Sequence, residues 1–199
     1  QSYTHKILTG RKENFSSLRQ KNGLSGYLKQ EESKHDIIEA GHTSTSISSA
    51  LGLALARDHK NKNERIYAVI GDGALTAGMA FEALNHAGHL QQDIKVILND
   101  NEMSISPNIG GLSHYLSNIR TDPTVSKLKE DLEFLINHIP RIGPTISKTI
   151  DRVKNGLKYV FISGILFEEM GFTYIGPLDG HDLDQLRENF KKADKIEGP

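Results

Sequence analysis

Cysteine is absent from all 199 residues of the chain. That excludes disulfides, thiolate catalysis and cysteine-ligated zinc, and it fits a reducing compartment. Surplus charge is absent too. Lys and Arg number 24 against 25 Asp and Glu, a formal net charge of -1, so no electrostatic case exists for nucleic acid or an anionic membrane as the main partner. Long apolar runs are missing: the longest, Tyr159 to Phe167, is broken by Ser163 and Gly164 and is far too short to span a bilayer. There is no internal repeat and no low-complexity tract, and the nine histidines show no zinc spacing. What is present is ordinary for a globular chain: 25% charged residues, 37% hydrophobic residues and enough length for one domain with a real core. The chain opens on Gln1 rather than methionine and ends on Gly198-Pro199. It reads as a piece of a longer protein, so a missing targeting segment carries no weight.

Residues 1 to 36 are polar, carry Gly10, Gly23 and Gly26, and have no sustained period, which predicts loop with short helical pieces. From Gly41 the pattern changes. Ile47, Ala50, Leu51, Ala54 and Leu55 follow the i, i+3, i+4 spacing of an amphipathic helix, with Thr43 to Ser46 as candidate N-caps. Ile66 to Ile70 is a short apolar run closed by Gly71, as expected of a buried parallel strand. Ala77 to Ala87 predicts a second helix ending near Gly88, and Ile94 to Leu98 a second strand. This β-α-β order predicts the α/β class: an open, mostly parallel sheet with helices on both faces and right-handed crossovers. The middle differs. Val125, Leu128, Leu132, Leu135 and Ile139 form one helical stripe and Ile146, Ile150, Val153, Leu157 and Phe161 another. Residues 107–165 are therefore expected to be a helical, mobile insertion in a domain made of 1–106 and 166–199. Sheet architecture is expected to resume at Phe172 to Ile175, followed by a helix carrying Leu183, Leu186 and Phe190.

Gly71-Asp72-Gly73-Ala74 follows the first strand, and Asn99-Asp100-Asn101 follows the second. Open α/β sheets bind ligands beyond the carboxyl ends of their strands. A carboxylate and a carboxamide there are hard oxygen ligands of the kind magnesium shares with substrate phosphates. Gly71 and Gly73 would let backbone approach a phosphate, and a helix opening near Ala74 would point N–H groups at it. Gly-Asp-Gly alone is also a common turn; Asn101 after the next strand is what favours a site.

The wording around these residues resembles the 1-deoxy-D-xylulose-5-phosphate synthase family of the transketolase superfamily. The resemblance lies in Gly71 to Ala83, Asn85 to Gly88, Leu98 to Ser106, Lys6 to Arg11, Gly41 to Ser46 and Gly176 to Asp182, and runs over the whole chain, least in its helical middle. It implies a thiamin diphosphate-binding fold and a site that holds thiamin diphosphate and magnesium. Asp72, Asn101 and the Met103 carbonyl would ligate the metal. Gly73 and Ala74 would contact the diphosphate, with Asn101 touching both. Gly41, His42 and Thr43 match a Gly-His-Ser cofactor segment, Thr43 replacing the serine with retention of a hydroxyl. Ile105 would wedge between the two cofactor rings. No catalytic group is assigned, His42 being the one candidate.

The implied reaction joins pyruvate to glyceraldehyde 3-phosphate with loss of CO2, in a homodimer located in the cytoplasm, or in the plastid of a plant or alga. A family Gly-His pair would fall just before Gln1. The pyrimidine-binding domain, with the glutamate that activates the cofactor, lies outside this chain, so the piece alone is expected to be inactive. Another transketolase-type enzyme, or a non-catalytic cofactor-binding or dimerisation module, remains open at this point. Other features have plainer expectations. His5 is a weaker candidate to face the site, His86 and His89 are surface or core positions, Asp182 is a helix N-cap, and Lys191-Lys192 is a solvated helix face.

Overall fold

A computed structural model describes residues 2–101, 110–121 and 164–199. The helices are α1 (Ser2–Lys6), α2 (Ser46–His59), α3 (Asp72–Leu75), α4 (Gly78–Leu90), α5 (Gly111–Thr121), α6 (Ile165–Glu169) and α7 (Leu183–Ala193); the strands are β1 (Tyr67–Gly71) and β2 (Lys95–Asn99). β1 and β2 are parallel, in register from Tyr67 opposite Lys95 to Gly71 opposite Asn99, and α4 provides most of the crossover between them. The expected α/β class is borne out. Each strand lies one residue later than the apolar pattern predicts, because Ile66 contributes only its carbonyl, which accepts from Lys95 N at 2.9 Å.

The core sits between the sheet and the paired helices. Ile47, Ala50, Leu51 and Ala54 of α2 and Ala80, Ala83, Leu84 and Ala87 of α4 are buried. They pack with Ala68 and Ile70 of β1 and with Val96 and Leu98 of β2. The i, i+3, i+4 stripe read from α2 is thus the buried face, except that Leu55 stays exposed. The alanines keep side-chain bulk low where the two helices meet over the strands, and each large residue fully buried contributes roughly 1.5–3 kcal/mol. β1 itself alternates: Ala68 and Ile70 are buried, Tyr67 and Val69 exposed. It is therefore not the wholly buried strand expected from its composition.

Gly88 does not end its helix. α4 continues to Leu90 and is closed by Gln91 in the left-handed region at φ 51°. Gly88 is needed for contact instead, since a Cβ there would lie 1.7 Å from Met170 O. The Gln91 side chain offsets the cost of its own backbone by donating to Gly88 O at 2.6 Å and Gly171 O at 2.9 Å. Residues 172–175 form no ladder. Thr173 N donates to Pro199 O at 3.0 Å and Tyr174 N to Glu168 Oε1 at 2.9 Å, so the backbone donors are used elsewhere while Phe172 and Tyr174 pack on the core. Of the expected insertion, α5 is described. Its Leu116 joins the core and its Tyr115 hydroxyl accepts from Leu166 N at 2.9 Å. The stripes from Val125 to Ile139 and from Ile146 to Phe161 lie outside the described residues.

The first forty residues are built on a different principle. α1 runs into a wide turn (Ile7–Arg11), in which Gly10 takes φ 90°, and then a 3-10 turn (Lys12–Ser17). These are the short helical pieces the sequence predicts. What holds them is a buried ionic cluster. Both prongs of the Arg11 guanidinium bind Asp36, Nη1 to Oδ2 and Nη2 to Oδ1, each at 2.7 Å. Asp36 Oδ1 also pairs with His5 Nε2 at 3.0 Å, and Lys29 N donates to Oδ2 at 2.9 Å. Lys6 pairs with Glu32, whose Oε1 accepts from Ser25 N at 2.7 Å. The side chains of Lys6 and Asp36 are 0% exposed.

Candidate functional site

One arginine sets the direction of α2. Arg57, in its last turn, donates from Nη1 to the carbonyls of Glu64 at 3.2 Å and Asp93 at 3.1 Å, which lie just ahead of β1 and β2. The carboxyl end of α2 is thereby pinned at the amino ends of both strands, and the helix packs back along β1. Its 14 residues extend about 20 Å, and a five-residue strand covers roughly 17 Å. The start of α2, with Gly41 to Ser46 leading into it, therefore comes to the carboxyl ends of the strands.

Asp72 reaches the same end directly. Gly71 is extended (φ -82°, ψ 156°) and passes straight into α3, whose first residue is Asp72; the carboxylate is buried. Gly71 pairs with Asn99, so Asp72 stands one residue, and Asn101 two residues, beyond a matched strand end. Asn101 is exposed. Neither the dihedrals of Gly71 nor its packing demand glycine: an added Cβ would meet nothing nearer than Asn99 O at 4.0 Å.

The helix near Ala74 differs from expectation. α3 begins at Asp72 and lasts four residues; Gly73 and Ala74 are half-buried within it. The Thr76 hydroxyl donates to Gly73 O at 2.8 Å, the Ala77 N–H turns to Ala74 O at 3.4 Å, and Ala77 is extended before α4 begins. The long helix thus starts at Gly78, away from the strand end.

Gly41, His42 and Thr43 are exposed just ahead of α2. The Gly41 Cα faces the Tyr27 ring, a Cβ there lying 3.8 Å from it. Ser44 takes φ 69°, uncommon for a side chain of its kind, and its hydroxyl donates to Thr43 Oγ1 at 3.4 Å. Thr45 holds the N-cap position, yet no side chain caps the helix. The reason is conformational: at φ -94°, ψ -10° Thr45 is already helical, and a capping hydroxyl needs an extended backbone. His42 is neither capping nor core.

Asp72, Gly73, Ala74 and Asn101 are thus gathered at one sheet end, with the Gly41–Thr43 segment brought to that end by α2. Met103 and Ile105 lie outside the described residues. His5 is tied to Asp36. His86 and His89 are surface residues. Asp182 caps α7, its Oδ1 accepting from Gln185 N at 2.9 Å, and Lys192 pairs with Glu188 at 2.8 Å on the solvated face. The ionic cluster around Asp36 has only a faint trace in the sequence, a balance of opposite charges in a stretch without period.

A cleft of about 340 Å³ lies at the opposite, amino ends of the strands, lined by Arg57, Arg65, Lys95, Asp58, Asp93 and Asp194 among others. Its cations are already paired, Arg57 with Asp58 at 2.7 Å, Lys95 with Asp93 at 2.6 Å and Arg65 with Asp194. Being charge-balanced and at the wrong end of the sheet, it is not the candidate site. Among the described residues no helix is long and apolar enough to cross a membrane.

Fold and site define the class: a parallel α/β domain with a carboxylate and an amide beyond adjacent strand ends. The particular family follows from comparison with known proteins. The family model described as 1-deoxy-D-xylulose-5-phosphate synthase matches residues 1–199, and the chain belongs to that family. Three similar relatives carry that same name. The one from Halothermothrix orenii is 71% identical over 199 residues, covering 100% of this chain and 31% of the relative. Those from Natranaerobius thermophilus and Alkaliphilus oremlandii are 61% and 59% identical, over 100% of this chain and 32% of each relative. The chain therefore spans about a third of the length of these relatives.

Proposed function

We propose that the chain is the diphosphate-anchoring part of a thiamin diphosphate- and magnesium-dependent synthase, which condenses pyruvate with glyceraldehyde 3-phosphate, releasing CO2, to give 1-deoxy-D-xylulose 5-phosphate. The observation that carries the reading is the placement of Asp72 and Asn101 just beyond the matched Gly71–Asn99 pair, with α2 bringing Thr43 to the same end.

The residues present fit the group. A hard-oxygen donor set of one carboxylate and one amide leaves coordination positions for diphosphate oxygens and water, as magnesium prefers. A Cβ on Gly71 would meet only Asn99 O, at 4.0 Å, so there is room beside this backbone for a ligand. Asp72, Asn101 and the Met103 carbonyl would hold the metal; Gly73 and Ala74 would line the diphosphate; Gly41, His42 and Thr43 would flank it, and Ile105 would support the rings. When bound, thiamin diphosphate supplies the nucleophilic carbon that attacks the pyruvate carbonyl and accepts the electrons left by CO2. The protein's part here is to bind and orient: Asp72 counters the metal charge from a buried position, and Asn101 can accept or donate without adding charge.

The reading implies further partners, namely a pyrimidine-binding domain of the same enzyme and a second copy in a homodimer, in the cytoplasm or in the plastid of a plant or alga. Calorimetry with thiamin diphosphate and magnesium on the full-length enzyme and its Asp72→Ala form tests it. Removing a ligand should weaken magnesium-dependent binding by more than the about 10–100-fold typical of losing a group behind a ligand. Unchanged affinity in Asp72→Ala would reject the assignment. Cofactor binding by the full-length protein without conversion of pyruvate and glyceraldehyde 3-phosphate would indicate a non-catalytic module instead.

A further inference from the structure

The stretch from Ile37 to Thr45 contains the proposed cofactor-flanking residues but has no regular structure. Among the described residues little holds its backbone along the way. Gln30 Nε2 donates to Ile37 O at 2.6 Å, the Tyr27 ring flanks Gly41, and Thr45 O accepts from Ser49 N at 3.1 Å once α2 has begun. The firm point upstream is Asp36. Its carboxylate takes both Arg11 prongs, His5 Nε2 and Lys29 N, and its own N–H donates to Ser33 O at 3.0 Å. Lys29 stands two residues from Tyr27, so the ring beside Gly41 hangs from the same carboxylate. From Asp36 to Gly41 the chain can span at most about 17 Å. A shift or rotation at Asp36 therefore reaches Gly41 by two routes, the short connecting stretch and the Lys29–Tyr27 backbone that carries the ring beside it.

We propose that Arg11 and Asp36 are positioning residues: their forked ion pair fixes the origin of the 37–45 stretch and so sets where Gly41, His42 and Thr43 stand. The role rests on the proposed function only in naming what those residues face. It deepens that reading by assigning a purpose to a buried ionic cluster that no ligand contact explains. The pairing is specific to arginine, because a planar guanidinium meets both carboxylate oxygens at once, whereas lysine offers a single point of charge.

The test uses the full-length enzyme and two variants. Arg11→Lys keeps the charge and removes the fork; Asp36→Asn keeps the shape and removes the charge. Both are expected to raise the calorimetric Kd for thiamin diphosphate with magnesium about 10–100-fold, the range seen when a group behind a binding residue is lost. Turnover at saturating cofactor should stay within about twofold of wild type. In protein labelled at histidine, the His42 ring signal should move in both variants while those of His86 and His181 stay. A lowered melting temperature with unchanged Kd and an unmoved His42 signal would make the pair a mere structural brace and overturn the proposal. An unmoved His42 signal overturns it whatever the affinity. If wild type binds no cofactor, the functional reading fails, and the His42 signal still decides the positioning role. Should Asp36→Asn fail to fold, the same two readouts in Arg11→Lys decide between positioning and brace.

Discussion

Asp36 shows how much one residue can hold together. The Arg11 fork holds its carboxyl well below the usual carboxylate range, overcoming the opposite push of burial, with the Lys29 N–H and His5 adding to it. A lowered folded value means that the unfolded chain binds more protons in acid. The stabilisation is therefore complete above the unfolded value of about 3.9 and is lost as pH falls below it. Urea midpoints should start to fall below about pH 4 and keep falling toward the depressed folded value in wild type, and less steeply in Asp36→Asn, the two curves converging at the acid end. Near neutrality the variant should cost about 3 kcal/mol, the lower end for breaking a buried pair, because it leaves the buried Arg11 with only Glu32, at 3.4 Å, as partner charge. Gly88 is the steric counterpart. Gly88→Ala places a methyl 1.7 Å from a backbone carbonyl, which no rotamer can relieve, so α4 and the Met170 turn must separate. A loss of about 1–3 kcal/mol or more is expected from overpacking of this kind, read as a lower melting temperature.

Elements differ in how plainly they announce themselves. Asp182→Ala should cost about 1 kcal/mol in thermal unfolding by removing the cap of α7, and that cap is legible because an acceptor side chain stands just before an amphipathic run. β1, α4 and β2 are legible for a similar reason. Their apolar spacing matches the face they bury, and Asp72 and Asn101 can be placed at the strand ends from that alone. Three features are not. The break after α3 is made by Ala77 turning extended, a choice invisible to periodicity. Residues 172–175 look like a strand, yet the Thr173 and Tyr174 N–H groups find Pro199 and Glu168. Arg11 and Asp36 lie 25 residues apart, and charge pairing across such a gap leaves no local pattern. His42 shows the limit at the site itself: a resemblance names it, while only the Arg57 contacts say which end of the sheet it stands at.

The whole molecule joins a sheet domain with an oily core to an amino-terminal lobe with an ionic one, and Lys95 ties the last residues to β2. Its ammonium donates to Ile196 O at 2.8 Å and Gly198 O at 2.7 Å. Lys95→Met should cost about 1.5–3 kcal/mol, as loss of charged hydrogen bonds does, and speed hydrogen exchange in α7 more than in α2. The two cores also respond differently to heat. Dehydrating ions becomes less costly on warming, whereas apolar burial gains little once warm. The lobe that leads to Gly41 should therefore lose less of its grip than the sheet domain as temperature climbs. Hydrogen exchange followed across a temperature series would show its opening free energy gaining on that of β1 and β2. A loop hung from charge rather than from oil is a support suited to hot surroundings.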